Sequence, residues 1–137
     1  MKNTAKILAF AAISLFMVSA SYAQEPEIVL NNVYTTMDNG TPATEFMCWQ
    51  PVLCHMEFEV FGDANKYYKV IGITTTLGDK IVIKDSLPPG VYYMTTIHFV
   101  EDYHPLGPYT VNYKMKLKKA GALLDLDKAE SEITVVE

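Results

Sequence analysis

Both cysteines of the chain, its one tryptophan and one of its three histidines fall within a single stretch, MCWQPVLCHMEFEVF, Met47 to Phe61. Three chemistries suit such a stretch: thiol redox exchange, soft-metal ligation and a disulfide staple. Five residues separate Cys48 from Cys54, which is neither the Cys-x-x-Cys of a dithiol redox centre nor a usual zinc spacing. Cys54, His55 and Met56 are the ligand types of exported copper proteins. On a strand, however, His55 faces away from Cys54 and Met56, so the three cannot converge on one ion. The methionines then read as core fillers, and neither a metal nor another cofactor is expected. An even cysteine count in an exported chain favours a disulfide, so Cys48 and Cys54 are expected to be bridged. Six residues of extended strand cover about 20 Å, whereas bridged Cα atoms lie about 4.4–6.8 Å apart. The chain must therefore fold back, and Gln50-Pro51 is the natural place, because Pro51 cannot donate a ladder hydrogen bond. A ring of about seven residues would contribute roughly 2.4 kcal/mol. Such a bridge is a local staple.

No catalytic constellation accompanies these residues. The sequence has no Gly-x-Ser-x-Gly, no His-Glu-x-x-His and no phosphate-cradling glycine loop, so the chain is not expected to be an enzyme. Glu57 and Glu59 share a strand face, where their plainer role is to solvate it. Asp125 to Asp127 (DLD) is too short for a calcium loop, and Asn39 to Thr41 (NGT) is a glycosylation sequon that arises readily by chance.

Two loops carry more aromatic character than solubility requires. Val100 to Tyr109, VEDYHPLGPY, displays Tyr103, His104, Leu106 and Tyr109 between prolines, with Glu101 and Asp102 alongside. Trp49 and Pro51 occupy the cysteine corner. Rigid amphipathic rings beside carboxylates suit a sugar face or a peptide. The competing account is that Tyr103 and Trp49 fold over the ends of the core as caps.

The elements that must position these residues are strands. Short extended runs alternate with turn chemistry every eight to twelve residues, the pattern of an all-β sandwich or barrel. The runs are Ile28–Tyr34, Glu45–Trp49, Val52–Phe61, Tyr67–Ile73, Lys80–Lys84, Val91–Val100, Tyr109–Lys118 and Glu132–Val136. In the seventh, Tyr109, Val111, Tyr113, Met115 and Leu117 share one face and Thr110, Asn112, Lys114, Lys116 and Lys118 the other. A helix would mix these sets, so the alternation predicts a strand with one wet face. The row Lys114, Lys116, Lys118 and Lys119 then reads as lysines that discourage edge-to-edge association. Gly121 to Ser131 fits neither period, and is left open between a helical turn and a wandering connection.

Leu87, Pro89, Gly90 and Tyr92, in LPPGVYY, carry the L-x-P-G-x-Y pattern. It resembles the corner that leads into a late strand of bacterial immunoglobulin-like and fibronectin-like modules. The resemblance implies an antiparallel immunoglobulin-like β-sandwich of about seven to eight strands. It also implies that the Tyr92 ring is buried while its hydroxyl reaches backbone. It carries no function with it.

The first 23 residues read as a signal peptide: Lys2 and Lys6, an apolar run from Ile7 to Val18, then Ser21-Tyr22-Ala23 for cleavage before Gln24. That run is too short to span a bilayer core, which needs roughly 20 apolar residues. Residues 24–137 then form one domain, exported to the periplasm or beyond, with no membrane insertion of the mature chain. Losing Lys2 and Lys6 leaves nine lysines, no arginine and 16 acidic residues, a net charge of −7. That balance argues against nucleic acid. The expected function is a non-enzymatic binding or accessory module for a protein or glycan partner. The alternative is a surface-assembly subunit joined by strand exchange through EIVLNNVY or EITVVE. Periplasmic copper binding stands third.

Overall fold

A computed structural model describes residues 24–137. The expected signal peptide, residues 1–23, lies outside the described residues. Eight strands follow in order: β1 (Glu27–Thr36), β2 (Glu45–Met47), β3 (Pro51–Phe61), β4 (Tyr68–Thr75), β5 (Asp79–Leu87), β6 (Gly90–Phe99), β7 (Gly107–Lys119) and β8 (Ala122–Val136). Among the described residues there is no helix. The strands form a three-stranded sheet, ordered β1-β3-β6, and a five-stranded sheet, ordered β2-β8-β7-β4-β5. The all-β reading holds. A wholly antiparallel one does not, because β2 joins β8 in parallel. Three residues of β2 gave no pattern from which that direction could be read.

Alternation places the core between the sheets. Val52, Cys54, Met56, Phe58 and Val60 of β3 are buried, as are Val111, Tyr113, Met115 and Leu117 of β7. At the middle of β4 stands Gly72, whose absent side chain makes room for three thioethers. A Cβ there would lie 2.8 Å from Met94 Sδ, 3.2 Å from Met115 Sδ and 3.3 Å from Met56 Cε. Two residues along β4 the interior turns polar. Thr74 Oγ1 lies 2.6 Å from Thr96 Oγ1 and 2.7 Å from His98 Nε2, bridging the two sheets.

Gly121 to Ser131 is neither helix nor loose connection. It belongs to β8, which pairs with β7 back to a two-residue turn at Ala120 and Gly121. Both turn residues have positive φ, 52° and 82°, as a type I′ hairpin requires. The inward positions of this half-strand carry carboxylates for a reason. Asp125 Oδ2 accepts the Ile28 N–H at 2.9 Å, and Asp127 Oδ2 accepts the Leu30 N–H at 2.8 Å. Two side chains of one sheet thus satisfy main-chain donors on the edge strand of the other.

The lysine row also needs correcting. Lys114, Lys116 and Lys118 do face outward, but β7 lies between β8 and β4 and has no edge to guard. In the Leu87–Tyr92 corner, by contrast, the hydroxyl reaches backbone as the resemblance implied, although the Tyr92 ring is only partly buried. The Tyr92 hydroxyl donates to the Pro88 carbonyl at 2.5 Å, and its ring packs 5.8 Å from that of Phe58.

Candidate functional site

At one end of the sandwich two connections cross between the sheets. Cys48–Gln50 leads from β2 to β3, and Val100–Leu106 leads from β6 to β7. They are laced together by main chain. Trp49 N–H donates to the Val100 carbonyl at 2.5 Å, and Val100 N–H donates to the Gln50 carbonyl at 3.2 Å. Val100 is fully buried and seals this end of the core. The two aromatic loops singled out in the sequence therefore form one surface.

The cysteine corner is a tight turn. Gln50 N–H donates to the Met47 carbonyl at 3.0 Å, and Met47 N–H donates to Gln50 Oε1 at 2.7 Å. Trp49 takes the left-handed conformation, with φ at 70°, an uncommon place for a bulky side chain. Its ring is 63% exposed, so it does not cap the core. The turn also undoes the expected disulfide: both thiols are free, Cys48 exposed and Cys54 buried. Pro51 opens β3 instead of ending the fold-back later. Extended chain from there carries Cys54 about 10 Å onward and into the core. Burial pushes the Cys54 thiol up to about 11, against the opposing effect of hydrogen bonds with Thr96 and Tyr113.

The second loop is organised by its own polar groups. His104 N–H donates to the Glu101 carbonyl at 3.0 Å, while Glu101 N–H donates to His104 Nδ1 at 2.8 Å. The Tyr103 hydroxyl donates to Glu101 Oε2 at 3.2 Å, and the negative charge of Glu101 raises the tyrosine's pKa. Tyr109 donates to the Pro105 carbonyl at 2.6 Å, repeating four residues back the geometry of Tyr92. His104 packs edge-on against Tyr103 and Tyr109, with centroids 4.5 Å and 6.5 Å away. Tyr103 is 64% exposed and Leu106 also stands in solvent, so Tyr103 is no cap either. Asp102 is exposed beside them.

Residues not singled out in the sequence extend this surface. Met47 at the corner and Phe99 at the end of β6 are about half exposed. Further along the outer face of the three-stranded sheet, the His55 ring stacks between Tyr34 and Tyr93, with centroids 4.7 Å and 5.7 Å away. Its Nε2 is hydrogen-bonded to Thr36 Oγ1 at 2.7 Å, and its Nδ1 to the Tyr93 hydroxyl at 2.6 Å. Desolvation lowers the His55 pKa, opposed by Glu57, and Glu57 in turn accepts a 3.1 Å bond from Tyr34. One signal was available in the sequence: Val91 to Phe99 is apolar or aromatic at most odd positions as well as at several even ones. Such a strand has no wholly wet face.

The soft-ligand candidates separate as the alternation required. Cys54 and Met56 face the core and His55 the outside. Met94 and His98 do share the core face of β6. Among the described residues, no three His, Cys, Asp or Glu side chains are grouped to hold a metal ion.

No family model matches the chain. No curated protein matches it either. Among solved structures it is similar to a protein from Bacteroides fragilis described as a beta-galactosidase, with a TM-score of 0.47 and 14% identity. That match covers 79% of this chain and 17% of the other. It is similar also to a Niemann-Pick type C2 protein from the Japanese carpenter ant, with a TM-score of 0.45 and 7% identity, covering 83% of this chain and 95% of the other. Likeness at this level reaches no further than β-rich architecture.

Proposed function

We propose that the chain is a non-enzymatic, exported binding module of immunoglobulin-like sandwich type. Its partner is a protein or a glycan, taken at the end surface built by Trp49, Tyr103 and Leu106 with the carboxylates of Glu101 and Asp102. One observation carries this reading. Loops about fifty residues apart in sequence are tied by reciprocal main-chain bonds, yet both hold their largest rings out in solvent. A fixed frame beneath exposed rings lowers the ordering entropy that binding must otherwise overcome. The i to i−4 tyrosine bond at Pro88 supports the immunoglobulin-like assignment.

The test is a glycan array together with a pull-down from an envelope extract, comparing the protein with its Trp49→Ala/Tyr103→Ala variant. A partner held through this surface should lose at least about tenfold in affinity, or 1.4 kcal/mol. Undiminished capture by the double variant would sink the assignment. Strand exchange through β1 or β8 has less support, because β1 is paired to β3 and its outward amides are held by Asp125 and Asp127. Copper binding has less support too, given the opposed faces of Cys54 and His55.

A further inference from the structure

Strand lysines are confined to one of the two sheets, whose strands also carry seven acidic residues. The strands β1, β3 and β6 contain no lysine, but carry Glu27, Glu57 and Glu59. Of the nine lysines after residue 23, all but Lys66 lie on strands of the five-stranded sheet. Composition alone hides this, since the chain is acidic overall.

Register shows how the lysines are set among apolar side chains. On the outer face of the five-stranded sheet, Lys116 stands beside Ile71 and Lys114 beside Ile73. Next to those isoleucines come Ile83 and Ile81 of β5, 54% and 61% exposed. On the other side Lys128 of β8 lies beside Lys114, and Lys118 stands beside Lys69 of β4. Like charges side by side repel, and β7 is a central strand, so protection of an edge does not explain them. The face is an isoleucine strip with the ammonium groups of Lys114, Lys116 and Lys118 along its β7 side and, on β5, the carboxylates of Asp79 and of Asp85, which is ion-paired to Lys69 at 3.6 Å.

The outer face of the three-stranded sheet is its complement. Glu59 stands beside Val91, and Glu57 beside Tyr93. Val91 is 70% exposed, and Ile97 and Phe99 continue the row at about half exposure. Apolar strips of this extent mark contact surfaces. The lysine row of β7 on one side of the molecule and the pair Glu57 and Glu59 of β3 on the other are opposite in charge.

We propose that the chain packs on copies of itself, the outer face of the three-stranded sheet of one copy lying on the outer face of the five-stranded sheet of the next. The contact uses two different patches, so it is heterologous and builds a row that need not close. Glu57 and Glu59 meet the lysine row of β7, and Val91, Ile97 and Phe99 meet the isoleucines. Phe99 is taken into this contact, but the end loops stay free, so each copy along the row would still display Trp49, Tyr103 and Leu106.

Sedimentation velocity across a concentration series tests this. Species larger than the monomer should appear at about 20 mM salt, and association should weaken tenfold or more by about 500 mM, where screening acts within ~4 Å. Two variants then separate the faces. Glu59→Lys/Val91→Lys makes both faces basic while sparing the Tyr34–Glu57 bond, and Lys116→Glu/Lys118→Glu makes both faces acidic. Each alone should stay monomeric, with circular dichroism confirming that it is folded. Mixed in equal amounts, they should associate again. A monomer at every concentration and salt, or a mixture that stays apart, overturns the proposal. So would a monomer whose lysine face instead binds vesicles of anionic lipid, a result that would assign that face to a membrane surface.

Discussion

The interior has two halves of different chemistry, and they do different work. Around Gly72, three methionines from both sheets fill the space left by a missing side chain. Around Thr74, hydroxyls and an imidazole reach across the same gap, and His98 Nδ1 has no hydrogen-bond partner among the described residues. The first half is adaptable, because thioethers repack readily. The second is directional, because a buried polar group left unpaired is expensive. It is the directional half that lies beneath Val100 and the laced loops, since His98 is two residues from Val100 and Thr74 closes β4 at the same end. The exposed surface is therefore founded on fixed contacts and the opposite half on compliant ones.

The largest expected effect breaks the directional half by pH. Burial holds the His98 imidazole near 4, with Lys80 adding to the shift and Asp79 opposing it. The unfolded chain takes up that proton near 6.5. Between those values the unfolded state binds more protons, so stability is full above about 6.5 and falls as pH drops toward 4. A shift of this size corresponds to about 3 kcal/mol. Urea midpoints measured from pH 7 to 4.5 should show this slope, and His98→Asn should flatten it. A variant with an unchanged slope would show that His98 is not the group responsible.

The adaptable half is tested by Gly72→Ala. The added methyl meets Met94 Sδ at 2.8 Å, and overpacking of this kind costs about 1–3 kcal/mol. Thermal unfolding should place the loss toward the lower end, because thioethers can swing aside. A cost near 3 would mean that the methionines are locked and that the contrast between the halves is false.

Smaller still is the effect of Trp49→Gly. Relief of the positive φ should leave the protein about as stable or more so, by up to ~1 kcal/mol, while removing the ring from the candidate surface. Marked destabilisation would mean that the indole supports the end of the core after all. The thiols should behave in opposite ways without any change in stability. Native protein should take one alkyl group from iodoacetamide, on exposed Cys48, and unfolded protein two. Two rapid adducts on folded protein would contradict the burial of Cys54, and none would restore the disulfide.

Much of this architecture was legible because period-2 patterning is strong wherever one face of a strand is wet. β3 and β7 show it, and both formed with the predicted faces inward. The first half of β8 could not be read that way. Its inward positions include Asp125 and Asp127, which bond to main-chain donors of β1 instead of packing, and its turn uses alanine where asparagine would have announced a hairpin. The disulfide failed for a geometric reason: a two-cysteine count carries no record of where a strand begins, and Pro51 begins one. Of the candidate surface, the sequence showed which rings to watch but not that the two loops are joined, since the bonds that tie Trp49 and Gln50 to Val100 are made by main-chain atoms. Phe99 and the His55 stack went unread because a strand apolar on both faces looks simply buried.

Asp125 and Asp127 have a consequence for how this protein ages in solution. An edge strand whose outward amides are unoccupied is a template on which another chain can grow into a cross-β stack. Carboxylates already seated on the Ile28 and Leu30 amides remove two successive rungs of that template. Those amides should exchange with deuterium slowly for residues at a sheet margin, and the Asp125→Ala/Asp127→Ala protein should both exchange faster and convert sooner into thioflavin-positive aggregate.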